Sequence, residues 1–447
     1  MEPEPARCGE PSRGESYWVT TLGCPKNEVD SAKLTGHLAS RGYTPADRPE
    51  EAGLIVVNTC AFIEPARAES IETILDLAER RRPGARIAVT GCLAERHGAE
   101  LAAAMPEIDL VAGFGLDFTA EVARGAELPP QPVRLLGRAD VPSFDLLELP
   151  RPAAGAPWAY VKVAEGCDRR CGFCAIPSFR GRQRSRQLSA VLDEVDSLEV
   201  SEVVLVAQDL ASYGRDRSGH HREEGGIVEL VREVAARVAW VRLLYLYPSS
   251  LTDRLIDAVV ATGVPYFDLS LQHVSAPLLR RMRRWGSAER FLERIERIRQ
   301  AAPEAALRSS FILGYPGETE ADHDELLAFL EAAELDWVGL FTFSREAGTF
   351  ADGLPESLAV PEELALDRLA ECAETQEAIT SRRRAGLVGS ELTVMLDRPD
   401  RGRTYREAPE IDGVVRLTGP HAGVPGSFVR ARCTASEGPD LIAEVAG

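Results

Sequence analysis

The chain has 447 residues, of which 45% are hydrophobic and 27% charged, and it carries a formal net charge of -19. That length suggests about three domains, and the composition excludes a disordered or low-complexity protein. The acidity argues against a protein whose main business is gripping nucleic acid, since neutralising phosphates requires a basic face; it tilts the partner toward something basic.

The first sixteen residues, MEPEPARCGEPSRGES, read as a disordered leader without an apolar core, so neither a secretory signal nor a transit peptide is indicated. No window approaches the roughly eighteen apolar residues of a membrane helix, and a cytoplasmic location is expected. Thiols stay reduced there, so nine cysteines point to metal or catalytic chemistry more than to disulfides. Cys8 in the leader, Cys372 in a helical run and Cys433 in VRARCTA are read as structural or incidental.

Three strand-like runs follow, and each ends at a cysteine: YWVTTL before Cys24, LIVV before Cys60 and IAVT before Cys92. After each comes a helical stretch, NEVDSAKLTGHLAS, EPARAESIETILDLAER and AERHGAELAAAM, the first with Asn27 as a plausible N-cap. Spacings of 36 and 32 residues suit one βαβ unit each. In a parallel sheet of such units ligands gather outside the carboxyl ends of the strands, so the three thiols are expected to meet there.

Between Glu121 and Pro157 the sequence turns rich in Pro and Gly, as at a domain boundary. Beyond it six strand candidates, AYVKVA, EVVLVA, VRLLYLY, YFDLSLQ, LRSSFILG and WVGLFTF, alternate with helical stretches. Repeated βα units read as a parallel sheet, open or curled into a full or partial barrel. Polar residues follow the strand ends: Gln208 and Asp209, then Pro248 to Ser250, Gln272 and His273, and Ser344 to Glu346.

The first of these strands leads into EGCDRRCGFCAIP, with Cys167, Cys171 and Cys174. A structural zinc or a closed electron-transfer cluster normally takes four protein ligands. Three thiolates leave a position open, and an open position is where exogenous molecules bind. GYPGET, from Gly314 to Thr319, lacks the Lys-Ser/Thr of a P-loop and reads as a turn into a helix. The basic runs RGRQRSR and LLRRMRRWGS read as solvated faces. A long helical pattern, EELALDRLAECAETQEAITSRRR, leads to a last segment of five short strands, suggesting a small antiparallel barrel. From Ala385 to Gly447 seven Arg stand against nine acidic residues, so this barrel is not a basic RNA grip.

CDRRCGFC resembles the CxxxCxxC signature of the radical S-adenosylmethionine (SAM) superfamily. In that superfamily the open iron takes the methionyl end of SAM, and reductive cleavage gives a 5'-deoxyadenosyl radical. A three-cysteine domain before it and a TRAM-type barrel after it are similar to the methylthiotransferase family. LGCPKN, NTCAFI, AEGCDRRCGFCAIP, LVAQDLASYG, RLLYLYP, FILGYPGETE, FSREAGT and YREAPEIDG are similar to its RimO-type, ribosomal-protein branch.

The resemblance implies an α/β protein with an N-terminal parallel αβα domain (17–125), a linker (126–156), a central radical-SAM partial (β/α) barrel (157–384) and a small antiparallel TRAM-type β-barrel (385–447). It implies two 4Fe-4S clusters, Cys167, Cys171 and Cys174 holding the one that binds SAM and Cys24, Cys60 and Cys92 an auxiliary one. One SAM would methylate sulfur and another would generate the radical that abstracts hydrogen from an aspartate β-carbon of the twelfth small-subunit ribosomal protein. Gln208 and Gln272 would contact SAM, no general base is implied beyond the cluster ligands, and a reductase or flavodoxin-type protein would donate electrons. One departure is Ser270 in DLSLQH, where the family suggests proline. The same chemistry on a tRNA adenosine, a non-enzymatic iron-sulfur or zinc redox sensor, and RNA contact as an accessory role of the barrel are the alternatives the sequence leaves open.

Overall fold

The computed structural model describes residues 15–114, 117, 133–135, 145–217 and 226–445. Cys8, the leader through residue 14 and the linker residues 126–132 and 136–144 lie outside the described residues. Two compact units divide the chain: Met1–Pro152 with Ala175–Arg182, and Ala153–Cys174 with Gln183–Gly447.

The N-terminal unit is a six-stranded parallel sheet ordered β2-β1-β3-β4-β5-β6. Its strands are β1 (Ser16–Thr21), β2 (Thr44–Pro45), β3 (Leu54–Thr59), β4 (Arg86–Gly91), β5 (Leu110–Ala112) and β6 (Val133–Leu135). Helices α1 (Pro25–Ser40), α2 (Glu64–Arg80) and α3 (Cys92–Ala104) are the crossovers. Every residue of β3 is buried, as in a sheet covered on both faces. Alternate strand residues sort into two cores: Ile55, Val57, Ile87 and Val89 pack with Ile74 and Leu77 of α2 and Leu93 of α3. Leu54, Val56 and Ala88 pack with Leu34 and Leu38 of α1.

Three local readings shift. Ser16, read as leader, opens β1, and Val133–Leu135, within the stretch read as linker, pairs with β5. Helix α1 begins at Pro25 with Cys24 in the N-cap position, two residues before Asn27. Proline is favoured at the first helical position because its missing N–H would go unpaired there. Asn27 is instead fully buried and ties the sheet ends together.

In the second unit β7 (Trp158–Lys162), β10 (Glu202–Val206) and β11 (Trp240–Leu243) form one parallel sheet, and β12 (Tyr266–Gln272), β13 (Ala306–Leu313) and β14 (Trp337–Thr342) another. A bridge between Leu246 and Leu269 joins them, so the six strands run in sequence order as a partial barrel. A two-residue hairpin, β8 (Ala164–Glu165) with β9 (Arg184–Ser185), flanks the loop after β7. GYPGET is a turn, as read: Thr319 caps the helix Glu320–Ala333 with a reciprocal bond to Asp322. Cys372 and Cys433 are buried hydrophobes.

The helix Glu362–Ala385 leads to a closed barrel ordered β15-β16-β17-β19-β18. Its strands are β15 (Glu391–Arg398), β16 (Arg401–Arg403), β17 (Val415–Thr418), β18 (Phe428–Glu437) and β19 (Asp440–Val445). All neighbours are antiparallel except β17 and β19. Closing an odd number of strands forces at least one parallel pair. Buried ion pairs fasten it: Glu202 of β10 meets Arg242 at 2.8 Å and Arg403 at 2.6 Å, with both cations holding its carboxyl below the usual range despite burial.

Candidate metal centres

In the N-terminal unit each of the three cysteines lies between the carboxyl end of a strand and a helix: Cys24 after β1, Cys60 after β3 and Cys92 at the start of α3. Glycines allow the approach. Gly23, at φ 92°, would place a Cβ 2.7 Å from both Cβ and Sγ of Cys60. Gly91, at φ 93°, would place one 2.5 Å from the Thr59 carbonyl and Asn58 Oδ1. Both conformations favour glycine. Asn27 Nδ2 donates to the carbonyls of Leu22 (2.9 Å) and Thr59 (3.1 Å), and Asn58 Nδ2 donates to Asn27 O (2.9 Å) and Ser31 Oγ (2.9 Å).

Arg180, the last residue of α4 (Ile176–Arg180), brings a buried positive charge to this site. Its Nη2 donates to Cys92 Sγ at 3.1 Å and Asn27 Oδ1 at 2.9 Å, and Nη1 lies 3.4 Å from Asp30 Oδ2. Burial alone would raise the Cys24 thiol, but Lys26, Arg180 and the backbone N–H groups of Asn27 and Lys26 together bring it below its ordinary value. Burial pushes Cys60 up to about 11, with Cys92 and Cys24 adding to the rise. Burial also raises Cys92, against the pull of Arg180.

In the second unit Cys167, Cys171 and Cys174 occupy the loop after β8, each half-buried. Cys167 Sγ accepts the Arg169 N–H (3.4 Å), and Cys171 Sγ accepts Arg284 Nη1 (3.3 Å). Burial pushes Cys167 up to about 11, with Asp209 and Cys171 adding. Arg169 and Arg284 hold the loop by stacking on the same Tyr247 ring at 3.9 Å and 4.1 Å, and Arg169 also binds Asp209 (2.6 Å) and Ser250 (2.7 Å). These anchors come from the carboxyl side of β10 and β11, where active sites of such barrels lie.

Gln208 joins this assembly: Nε2 donates to Glu165 Oε1 at 2.9 Å, and Lys162 Nζ holds the other oxygen at 2.7 Å. Among the described residues, Gln208 Oε1 and Asp209 Oδ1 are buried without a hydrogen-bond partner. Gln272 ends β12 in a left-handed conformation, φ 74°, beside a register shift after Leu269. Ser270 donates its N–H to Leu246 O at 2.9 Å, a bond proline would lack, and Arg284 donates to the Ser270 carbonyl.

The basic runs are not simply solvated. Arg180 and Arg186 are buried, and Arg284 reaches Cys171. Buried guanidiniums need partners: Arg186 finds Glu194 eight residues on, at 2.6 Å, whereas Arg180 and Arg284 reach Cys92 and Cys171, 88 and 113 residues away.

Among the described residues no three Cys, His, Asp or Glu side chains are grouped so as to hold a single metal ion. One ion would draw sulfurs to about 2.3 Å from a common centre. A cluster attaches each thiolate to a different iron and spaces them more widely. Two sets of three thiols beside guanidiniums, with no fourth cysteine in either among the described residues, fit a donor set of that second kind.

Residues 16–113 match the family described as "Uncharacterized protein family UPF0004", residues 161–330 the radical SAM superfamily and residues 388–446 the TRAM domain. A structure of the radical S-adenosylmethionine methyltransferase TsrM from Kitasatospora setae, with cobalamin and a 4Fe-4S cluster bound, has a similar fold: TM-score 0.52 at 17% identity, covering 75% of this chain and 76% of that one. The ribosomal protein uS12 methylthiotransferase RimO of Geobacter sulfurreducens is 40% identical over 449 residues, 96% of this chain and 98% of the relative. That of Moorella thermoacetica is 43% identical over 432 residues, 93% and 96% of the two chains. With that agreement over nearly its whole length, the chain belongs to the RimO family of radical-SAM methylthiotransferases.

Proposed function

We propose that this chain transfers a methylthio group to ribosomal protein uS12, at the β-carbon of an aspartate. The enzyme class follows from the family, and so does the use of SAM and an iron-sulfur cluster. The finer reading is two 4Fe-4S clusters, one held by Cys167, Cys171 and Cys174 and an auxiliary one by Cys24, Cys60 and Cys92. The observation that carries it is the gathering of Cys24, Cys60 and Cys92 at three equivalent strand ends, which a simple radical former would not need.

When bound, the clusters supply the electron that cleaves SAM and hold the sulfur that is methylated. The chain's own residues bind and position. Gln208, oriented by Glu165, presents a buried oxygen without a partner among the described residues, and Asp209 presents another; SAM carries an ammonium and ribose hydroxyls that donate. Gln272 is the second proposed SAM contact. An unactivated C–H bond offers no acidic proton, so no side chain is assigned as base.

The proposed domains are a leader (1–16), the methylthiotransferase N-terminal domain (17–125), a linker (126–156), the radical-SAM core (157–384) and the TRAM-type barrel (385–447). A net charge of -19 suits a basic protein substrate. A reductase or flavodoxin-type donor, a cytoplasmic location and secondary RNA contact by the barrel complete the reading. No helix among the described residues is long and apolar enough to cross a membrane.

The test is anaerobic reconstitution with reductant, SAM and either uS12 or bulk tRNA, read by mass spectrometry. A methylthio addition to a uS12 aspartate is expected; modification of tRNA with none on uS12 would sink the reading.

A further inference from the structure

Arg180 has a place in the fold that its local sequence does not suggest. Only six residues after Cys174, it packs within the N-terminal unit, its side chain 3% exposed. The left-handed Gly181, φ 75°, ends the short helix just behind it. One guanidinium nitrogen meets both Cys92 Sγ (3.1 Å) and Asn27 Oδ1 (2.9 Å), the other faces Asp30 (3.4 Å), and the plane lies 4.2 Å from the Phe114 ring. Asn27 in turn holds the chain beyond β1 and the end of β3. Arg180 is thus keyed to all three strand ends that carry cysteines. It is also a charge felt by each of the three thiols.

Burying a guanidinium is costly unless negative charge compensates it, and Asp30 at 3.4 Å is one such charge. Three thiolates on an iron-sulfur cluster leave the assembly net negative, and each added electron deepens that charge. A planar fork that stacks on an aromatic ring while bonding sulfur, amide and carboxylate is an arginine geometry that lysine does not reproduce. We propose that Arg180 is the counter-charge of the N-terminal cluster site, favouring the cluster's reduced form and so setting its reduction potential. Arg180 is a positioning residue in this assignment, which rests on the reading of Cys24, Cys60 and Cys92 as cluster ligands.

The experiment uses the full chain with Cys167, Cys171 and Cys174 all replaced by Ala, so that only the N-terminal site can load. After reconstitution this background should hold about four irons; if it holds none, the cluster reading fails and takes this inference with it. With iron present, the midpoint potential is read by electron paramagnetic resonance at poised potentials. R180M should shift the midpoint to more negative values, R180K should lie between R180M and the background, and D30N should shift it the opposite way, to more positive values. Should R180M fail to fold or load, D30N still reads the same electrostatics with opposite sign. Midpoints unchanged in the loaded variants, or R180M and D30N moving together, would overturn the role of Arg180 while leaving the cluster reading intact.

Discussion

The two cysteine trios are built by opposite means. Cys167, Cys171 and Cys174 are neighbours in one loop, and the fold has only to anchor that loop, through Tyr247, Arg169, Arg284 and the bond from Gly172 N to Met282 O at 2.7 Å. Cys24, Cys60 and Cys92 are brought together by a parallel sheet, so the sheet itself positions the proposed ligands. A local motif survives modest distortion of its surroundings; a site assembled from three strand ends fails when any crossover shifts.

Replacing one ligand in each trio separates their tasks. Cys171→Ala should halve the iron of the reconstituted protein from about eight to about four and abolish both deoxyadenosine and methylthio product. Cys60→Ala should lose the same iron and the methylthio product while deoxyadenosine formation persists. Deoxyadenosine that survives Cys171→Ala would break the comparison at its root.

Glycine substitutions test the means of construction. At Gly91 a Cβ meets Asn58 Oδ1 and the Thr59 carbonyl at 2.5 Å and Thr59 N at 2.6 Å with φ at 93°, and the Thr59 backbone cannot yield as a side chain would. Gly91→Ala should cost about 4 kcal/mol and empty the N-terminal site. At Gly172 the nearest atoms are Tyr315 Oη at 3.0 Å and the Arg281 carbonyl and a Phe350 ring carbon at 3.2 Å, and the two side chains can give. Gly172→Ala should cost about 1 kcal/mol, with the loop still loading iron. Chemical denaturation and iron analysis of the two variants read the contrast.

The same difference explains what the sequence made legible. The loop trio is readable from spacing alone, and the sheet trio from placing each cysteine after an apolar run in a βαβ rhythm. The arginines were not readable, because a charged run looks solvated unless its partners are known: those of Arg180 lie 153 and 88 residues away, at Asn27 and Cys92. The signal for Asn27 was present but misassigned. Pro25 next to Cys24 marks an earlier helix start, which frees Asn27 to bond across the strand ends.

Acid should distinguish the units next. His273 follows Gln272, is fully buried, accepts the Ser275 N–H on Nδ1 at 3.1 Å, and buries Nε2 without a partner among the described residues. Burial lowers it from 6.5 to about 4; Asp322 opposes this, and His323 and Arg368 reinforce it. A histidine depressed in the folded state binds its proton more readily when unfolded, so stability present above pH 6.5 is lost as pH falls toward 4. The loss should reach about 3 kcal/mol in the second unit. His273→Gln should flatten that slope in thermal unfolding of the iron-free protein, and an unchanged slope would exclude His273 as the titrating group.

The smallest effect concerns Ser270, at the seam of the partial barrel. Leu246 N donates to Asp268 O at 2.9 Å, and Ser270 N to Leu246 O at 2.9 Å; these bonds and the Leu246 bridge stitch β11's extension to β12. Ser270→Pro deletes one donor where the register is already shifted, so the neighbouring ladder need not break. The expected cost is about 1 kcal/mol in denaturant unfolding, with loop iron and deoxyadenosine formation unchanged. A loss of SAM affinity at that small cost would mean that the Ser270 bond sets the left-handed turn at Gln272, and that the loop-built site depends on sheet register after all.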